Sequence, residues 1–303
     1  TDGGSFVRLL RLIQHEGTRE ALIPENDQLI KGRLAKAIAK DGAVTFNEVE
    51  GLMTPETFNR IAGHDGTLDS NEIALALEAT TPETRLKLIP SLRAHADSLA
   101  TGFDMIDEVH RRAGTKLARW IASNYQSGTP IPITVVCTGN SRRSILGSSM
   151  GNLAAAYVGM PEVRFHSGGT SPTAFNPRTV DTLRSIGFRI DPTNGEAPRS
   201  EPKTANPIYR VTWGDGFETL EFSKHYADPA NPATGFAALM VCGEADQDCP
   251  FVKGAALRIS MPYLDPKVFD NSEYESAKYA ERRDDIGRLM LSILLQARAE
   301  IRE

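Results

Sequence analysis

The sequence predicts an α/β fold for the second half of the chain, in which a parallel sheet has helices on both faces, preceded by a mostly helical N-terminal domain. The stretch from Ile131 to Val136 is predicted to be an apolar strand, and Phe236 to Val241 is a continuous apolar run of the kind expected for a buried parallel strand. The residues between and after them alternate between strand and helix patterns. Such an alternation produces a parallel sheet covered on both faces, and ligands bind beside the carboxyl ends of its strands.

The size and charge of the chain narrow the classes of function. A length of 303 residues favours two domains over one. The formal net charge of -5 argues against nucleic acid as a partner. The sequence has no apolar run long enough to span a bilayer, so a soluble protein without a membrane partner is expected.

Three regions are expected along the chain. The predicted boundaries are a helical domain over 1–96, a connecting helix and linker over 97–130, and a catalytic domain over 131–303. Helical apolar spacing recurs in the N-terminal region, and a long amphipathic segment runs from Asp97 to Tyr125. Gln126 to Pro130 is rich in turn formers and is predicted to be the linker.

Two segments of the N-terminal region resemble the second half of an EF-hand loop. Residues 40–48 and 64–72 each contain Asp-Gly, an apolar residue two positions after the Gly and a Glu six positions after it. The positions of the first two acidic ligands hold apolar residues or glycine in both copies: Ala37, Ala39, Ile61 and Gly63. The prediction is a degenerate EF-hand-like scaffold with weak or no calcium affinity, and a working calcium site is the alternative.

The loop after the first apolar strand is the predicted active site. Cys137 follows the strand as the first residue of the loop, and a helix-permissive run begins a few residues later. Unpaired N–H groups and the positive end of a helix attract tetrahedral oxyanions and favour a thiolate at Cys137. Arg143 can hold two oxyanion oxygens in a bidentate fork, and Ser144 can hydrogen-bond the thiolate. The predicted oxyanion-binding residues are Thr138, Gly139, Asn140, Ser141, Arg142, Arg143 and Ser144.

The other two cysteines of the chain follow the second apolar strand. Cys242 and Cys249 are seven positions apart, which places them about 10 Å apart along a helix. A disulfide requires Cα atoms roughly 4.4–6.8 Å apart, so the pair closes only if the segment is looped or unwinds. A redox relay is therefore plausible, and the alternative is one buried and one surface cysteine.

The remaining candidates are an aspartate and the histidines. Asp265, in the loop after the last strand, could protonate a leaving oxygen, although Asp-Pro is also a common turn dipeptide. The six histidines show no paired metal-ligand spacing, so no metal site is expected. His166, the one near the predicted site, is expected to be a packing or hydrogen-bonding residue, and Lys224 a solvated lysine.

Five stretches of the second half occur in the same order as the motifs of a known family. They are Cys137 to Ser144, His166 to Thr170, Phe175 to Pro177, Cys242 to Pro250, and Asp265-Pro266. Together they resemble the thioredoxin-coupled arsenate reductases, which share the fold of the low-molecular-weight protein tyrosine phosphatases. The phosphatases also account for the first loop and the Asp-Pro loop. All three cysteines of the chain fall on reductase positions, and this favours the reductases.

The resemblance implies a low-molecular-weight phosphatase-like fold and reduction of arsenate to arsenite by a three-cysteine relay. Cys137 would attack arsenic while Asp265 protonates the departing oxygen. Cys242 would then form a disulfide with Cys137, and Cys249 would form one with Cys242. Thioredoxin would reduce the last disulfide as an external reductant, with no bound cofactor. The implied partners are an arsenate- or phosphate-type oxyanion and thioredoxin.

The chain departs from the family in several places. Arg142 stands where the family usually has Cys, and Ser148 stands where potassium-binding reductases carry an acidic residue, so a potassium site is not expected. A predicted hairpin over 206–223 is not part of the minimal enzyme. The N-terminal region has no counterpart in the compact reductases.

Two other functions stay open at this point. The first is a low-molecular-weight protein tyrosine phosphatase that hydrolyses aryl phosphates through a phosphocysteine at Cys137. The second is an oxyanion- or calcium-responsive binding protein with vestigial catalytic residues. Reversible cysteine chemistry predicts the reducing cytoplasm. The EF-hand-like segments and a first residue that is Thr1 leave export as an alternative.

Overall fold

The computed structural model describes residues 43–45, 67–69, 82–100, 102–199, 204–248 and 251–301. Contacts divide the chain into two units. One unit is Thr1–Pro82 with Arg302–Glu303, and the other is Glu83–Ile301. Residues 83–130, which the sequence analysis divided between a helical domain and a connecting segment, belong by their contacts to the second unit.

In the first unit, two short strands pair with each other. Strands β1 (Ala43–Thr45) and β2 (Thr67–Asp69) are antiparallel, and Val44 lies opposite Leu68. Each strand directly follows an Asp-Gly pair in the sequence, so the two EF-hand-like segments pair at equivalent positions. The N-terminal stretches with helical apolar spacing and the glutamates of the EF-hand-like segments, Glu48 and Glu72, lie outside the described residues. Within the described ranges, no group of three or more His, Cys, Asp or Glu could hold a metal ion.

The second unit alternates strands with helices. Its elements, in chain order, are α1 (Glu83–Leu86), α2 (Pro90–Leu99), α3 (Glu108–Asn124), β3 (Ile131–Cys137), α4 (Arg143–Val158), β4 (Val163–Gly169), α5 (Pro177–Arg184), β5 (Arg189–Glu196), β6 (Pro207–Gly214), β7 (Phe217–Glu221), β8 (Phe236–Met240), α6 (Gly243–Asp248), β9 (Ala255–Ser260) and α7 (Glu275–Ile301).

Four strands form the central sheet in the order β4-β3-β8-β9, and every neighbouring pair is parallel. All five residues of β8 are buried, although successive residues point to opposite faces of a sheet. Both faces are therefore covered, as expected for strands made of continuous apolar runs. This architecture confirms the predicted α/β fold class and is consistent with a phosphatase-like fold.

The strand order determines where a ligand can bind. From β3 the chain moves to one side of the sheet to form β4, and it returns to the other side to form β8 and β9. The direction reverses between β3 and β8, and open parallel sheets bind ligands outside the carboxyl ends of the strands at such a reversal. Cys137 ends β3, and Cys242 follows β8 by two residues.

Helix α4 packs closely on the sheet because two of its residues lack side chains. A Cβ at Gly147 would lie 2.7 Å from Val135 of β3, and one at Gly151 would lie 2.5 Å from the ring of Phe165 on β4. The helix is buried along its whole length. Its first turn, next to Cys137, is therefore held at a fixed position relative to the sheet.

A second, antiparallel sheet consists of β5, β6 and β7. The hairpin predicted over 206–223 is confirmed as β6 and β7, with Asp215 and Gly216 in the turn. Strand β5 pairs with β6 of this hairpin rather than joining the parallel sheet.

The amphipathic segment predicted over 97–125 is divided into two helices. Helix α2 ends at Leu99 and α3 begins at Glu108, with a short 3₁₀ turn (Phe103–Met105) between them. The carboxylate of Asp107 accepts a hydrogen bond from the His110 N–H and so caps the N-terminus of α3. A new helix therefore begins here, within the segment predicted to be continuous. Among the described residues, no helix combines the length and apolarity that crossing a membrane requires.

Candidate active site

The site is built around the thiol at the end of β3. Cys137 is buried, and its Sγ lies 3.1 Å from Oγ of Ser144 in the first turn of α4. A hydroxyl at this distance can donate a hydrogen bond to a thiolate. The loop between the two residues connects a parallel strand to a helix N-terminus, as the sequence predicts.

The carbonyl groups of this loop are bonded to the segment that follows β4. The acceptor and donor pairs are Cys137 O with Thr170 N (3.1 Å), Thr138 O with Ser171 N (2.9 Å), Gly139 O with Thr173 N (2.9 Å) and Ser141 O with Asn176 N (3.2 Å). Because the carbonyl oxygens are held outward, we infer that the loop's N–H groups face its centre. Successive N–H groups arranged in this way form an anion-binding concavity.

Asn140 fixes the shape of the loop. Its φ of 42° lies in the left-handed region, which Asn tolerates better than most residues. The side-chain amide donates to Ser144 Oγ (2.9 Å) and Ser167 Oγ (2.8 Å), and its oxygen accepts from the Lys224 N–H (2.8 Å). Asn140 therefore joins the loop to α4, to β4 and to the segment after β7.

The same hydrogen-bond network ends in a buried ion pair. Ser167 Oγ donates to Glu221 Oε1 at 2.6 Å, and Lys224 Nζ lies 2.6 Å from the same oxygen. The two charged side chains are 5% and 4% exposed. The prediction that Lys224 is solvated is wrong, because the antiparallel sheet packs it against the site. Sequence reasoning also missed Glu221, since nothing in an isolated hairpin strand shows that its last carboxylate is buried.

Arg143 and Asp265 are brought together beside the loop. The Arg143 guanidinium donates from Nη1 to the Tyr263 carbonyl oxygen (2.9 Å) and from Nη2 to Asp265 Oδ2 (2.8 Å). Its Nε is buried and has no hydrogen-bond partner in the described part of the chain. The other Asp265 oxygen accepts from the Lys267 N–H at 3.0 Å. One N–H of a buried cation is thus left without an acceptor next to the predicted oxyanion loop.

Arg142 has a different set of partners from Arg143, although its Nε also lies 4.0 Å from Asp265 Oδ1. Its Nε donates to the Tyr279 hydroxyl at 2.8 Å, and its Nη2 lies 3.6 Å from Asp270 Oδ2. The side chain thus contacts α7 and the segment that precedes it. The Arg142 side chain is thus directed to a phenol and a carboxylate of the protein, while its backbone N–H is part of the oxyanion-binding loop.

Cys242 lies beside the loop at the end of the neighbouring strand. Its Sγ is buried, is 3.3 Å from Oγ1 of Thr138, and accepts from the Ala245 N–H at 3.3 Å. The same Thr138 hydroxyl donates to Glu244 Oε2 at 3.2 Å. Cys137 and Cys242 are both free thiols. Cys249 lies outside the described residues, and α6 occupies most of the segment that leads to it.

Comparisons with known proteins were made with the whole chain. No family model matches it, and no curated protein matches it. Among solved structures, the chain is similar to a thioredoxin-dependent arsenate reductase of Corynebacterium glutamicum, with 17% sequence identity and a TM-score of 0.31. The match covers 80% of this chain and 98% of that one. At this identity and TM-score we draw no functional conclusion from the similarity.

Proposed function

We propose that this protein reduces arsenate to arsenite with Cys137, Cys242 and Cys249, and that thioredoxin regenerates it in the reducing cytoplasm. One observation carries the proposal. Two buried free thiols sit on either side of Thr138, at the ends of adjacent parallel strands, next to an arginine with an unpartnered Nε. The sequence resemblance to the thioredoxin-coupled reductases supports the same chemistry.

The first step binds the oxyanion and forms a sulfur–arsenic bond. Arsenate sits in the concavity of residues 138–144 and accepts from the free Nε–H of Arg143. The Cys137 thiolate attacks arsenic, while one arsenic–oxygen bond breaks. The departing oxygen takes a proton from Asp265 and leaves as water. Ser144, 3.1 Å from the sulfur, stabilises the thiolate before the attack.

The second step transfers two electrons to arsenic. The Cys242 thiol passes its proton through the Thr138 hydroxyl to the Glu244 carboxylate, along contacts of 3.3 and 3.2 Å. The resulting thiolate attacks the Cys137 sulfur and forms a disulfide. The sulfur–arsenic bond breaks, and its electron pair remains on arsenic, which leaves as arsenite.

The third step restores the nucleophile. Cys249 attacks Cys242 as a thiolate, which releases Cys137 as a thiolate and forms a Cys242–Cys249 disulfide. Helix α6 (Gly243–Asp248) takes up the six residues between the two cysteines in the sequence, so this step requires the helix to unwind. An unwound segment is open to thioredoxin, whose dithiol is oxidised as the disulfide is reduced by exchange.

Hydrolysis of aryl phosphates is the second candidate function. It is favoured by two contacts in the described part of the chain: Arg143 holds Asp265, and Cys137 Sγ lies beside Ser144, the residue that follows Arg143. A phosphocysteine at Cys137 would be hydrolysed by water rather than attacked by Cys242. Arsenate and phosphate have the same shape and charge, so both reactions share the first step.

The test is arsenate-dependent NADPH oxidation with thioredoxin and thioredoxin reductase, measured beside aryl phosphate hydrolysis. The proposal expects turnover by the wild type, loss of arsenate turnover in Cys242→Ser, and hydrolysis retained in that variant. Cys137→Ser should lose both activities. If wild type and Cys242→Ser both fail to use arsenate while both hydrolyse the ester, the protein is a phosphatase. If Cys242→Ser retains arsenate turnover, the relay is wrong.

A further inference from the structure

The loop that carries Asp265 is fastened at two places. We use the name acid loop for residues 261–274, which connect β9 to α7. Near its start, Arg143 holds Asp265 and the Tyr263 carbonyl. Near its end, Asp270 is held from the oxyanion-binding loop by Arg142. Two consecutive residues of the chain therefore hold two different parts of the acid loop.

At the second place, Arg142, Tyr279 and Asp270 all contact one another. Arg142 Nε donates to the Tyr279 hydroxyl, and this hydroxyl donates to Asp270 Oδ1, both at 2.8 Å. Arg142 Nη2 lies 3.6 Å from the other oxygen of Asp270, and Arg142 Nε lies 4.0 Å from Asp265 Oδ1. The Arg142 side chain is 15% exposed, so water screens these contacts weakly.

The phenol in this set stays protonated at neutral pH. Burial and the hydrogen bond to Asp270 raise the pKa of Tyr279 to about 12, against the opposing effect of Arg142. The hydroxyl thus keeps the proton that it donates to Asp270. Arg178 of α5 adds contacts from another side, with Nη1 3.7 Å from Asp270 Oδ2 and Nε 2.7 Å from Glu275 Oε2.

The two fastenings respond differently to an oxyanion. A bound oxyanion would share the positive charge of Arg143, and its negative charge would repel the Asp265 carboxylate. Both effects weaken the Arg143–Asp265 pair at the moment when Asp265 must stay in place. The contacts of Arg142 with Tyr279 and Asp270 involve no group that binds the oxyanion, so they persist.

We propose that the Arg142 side chain is a positioning residue, which keeps Asp265 over the leaving oxygen by holding Asp270 and Tyr279 while Arg143 binds the oxyanion. This inference rests on the proposed oxyanion chemistry at Cys137, and it applies to arsenate and to phosphate esters alike. It also gives a role to the residue at which this chain departs from the family's usual Cys.

The test compares two esters that differ in their need for an acid. Phenyl phosphate has a poor leaving group and p-nitrophenyl phosphate a good one. A general acid contributes roughly 10²–10⁴-fold to the rate, and Arg142→Met should lose a portion of this contribution. The kcat for phenyl phosphate should therefore fall by about tenfold or more. The loss for p-nitrophenyl phosphate should be clearly smaller. Inhibition by inorganic phosphate should change less than kcat, because the backbone N–H groups and Arg143 are retained.

Three further variants make the comparison specific. Asp265→Asn should show the same leaving-group dependence, and adding it to Arg142→Met should cost little more. Arg142→Lys keeps the charge and should recover part of the loss. Arg189→Met, which removes an exposed arginine on β5, should retain wild-type kinetics with both esters. Equal losses on the two esters in Arg142→Met, or fully additive effects with Asp265→Asn, would overturn the proposal.

Hydrogen exchange provides a readout that does not depend on turnover. With inorganic phosphate present, amides of residues 262–274 should exchange faster in Arg142→Met than in the wild type. Unchanged exchange in this segment would overturn the role of Arg142. The proposed function fails instead if the wild type hydrolyses neither ester and phosphate does not protect Cys137 from alkylation. In that case, hydrogen exchange measured without phosphate still decides whether Arg142 holds the acid loop.

Discussion

At the scale of single residues, the site is defined by atoms that are buried and by what they contact. The side-chain amide of Asn140 is hydrogen-bonded to residues of three different segments. These bonds hold Asn140 in a left-handed backbone conformation in the loop that follows Cys137. Thr138 links the second thiol to a carboxylate. Asn140 acts through three side-chain hydrogen bonds and Thr138 through two, so single substitutions can separate the steps of the proposed reaction.

The first residue-scale prediction concerns Glu244. Glu244→Gln keeps the shape of the side chain but is a far weaker proton acceptor, so formation of the Cys137–Cys242 disulfide should slow by roughly tenfold or more. The measurement is single-turnover release of arsenite, with the disulfide followed by mass spectrometry. Aryl phosphate hydrolysis should lose less than arsenate turnover. The matched control is Glu218→Gln on the exposed side of β7. An equal rate of disulfide formation in Glu244→Gln and the wild type would show that Glu244 accepts no proton.

The second residue-scale prediction concerns pH. Burial lowers the pKa of His166 below its ordinary value of 6.5, with smaller opposing and supporting effects from Glu221 and Lys224. As pH falls below 6.5, the unfolded chain takes up a proton that the folded chain refuses, so the free energy of unfolding falls. In His166→Gln this contribution is absent. Urea unfolding is measured between pH 7.5 and pH 5, values chosen to bracket about 6.5. Over this range the free energy of unfolding should fall less in the variant than in the wild type. An equal fall in the two proteins would contradict the prediction.

At the scale of elements, the close packing of α4 on the parallel sheet determines where the catalytic loop begins. Gly147 and Gly151 lie over Val135 and Phe165, and no larger residue fits between the helix and the strands. The N-terminus of α4 is thereby set at a fixed height above the end of β3. Cys137 and Ser144 come within hydrogen-bond distance as a result.

The prediction at this scale is that Gly151→Ala destabilises the protein. Alanine improves helix propensity by about 1 kcal/mol. Its Cβ would lie 2.5 Å from the Phe165 ring, however, and overpacking in a core costs about 1–3 kcal/mol. The midpoint of urea unfolding should therefore fall. With Phe165→Leu as the background, the same alanine should be less harmful, and a higher midpoint for Gly151→Ala alone would refute the packing explanation.

At the scale of the whole second unit, hydrogen bonds to a buried ion pair connect the antiparallel sheet to the parallel sheet. Glu221 is the last residue of β7 and Lys224 follows the strand, and Ser167 and Asn140 connect this pair to β4 and to the oxyanion-binding loop. The hairpin that appears in the sequence as an insertion thus supports the site. A buried pair of this kind is costly to break, because the remaining charge has no partner.

The prediction at this scale uses both members of the pair. Lys224→Met and Glu221→Gln should each lower the free energy of unfolding, by about 3–5 kcal/mol where a charge is left buried and unpaired. The double variant should lose clearly less than the sum of the two, since neither charge remains. Urea unfolding of the four proteins measures this coupling. Strict additivity would indicate that the two side chains do not stabilise each other.

The sequence by itself determined the parallel sheet, the position of Cys137 before a helix and the Asp-Pro loop. These features depend on local patterns: continuous apolar runs, turn residues and a thiol at the end of a strand. The hairpin over 206–223 was also predictable from its turn. The division of residues 97–125 into two helices was not predicted, because the capping carboxylate of Asp107 has no periodic signal.

Tertiary structure alone decided which charged groups are buried and which partners they have. The same residue types occur on solvated faces, so neither the burial of Glu221 and Lys224 nor the Arg142–Asp270 contact can be inferred from the residues themselves. These pairs join segments far apart in the chain, and their energies depend on desolvation by elements that pack over them. Local sequence determines the elements, whereas the pairing of buried charges is determined when the elements assemble.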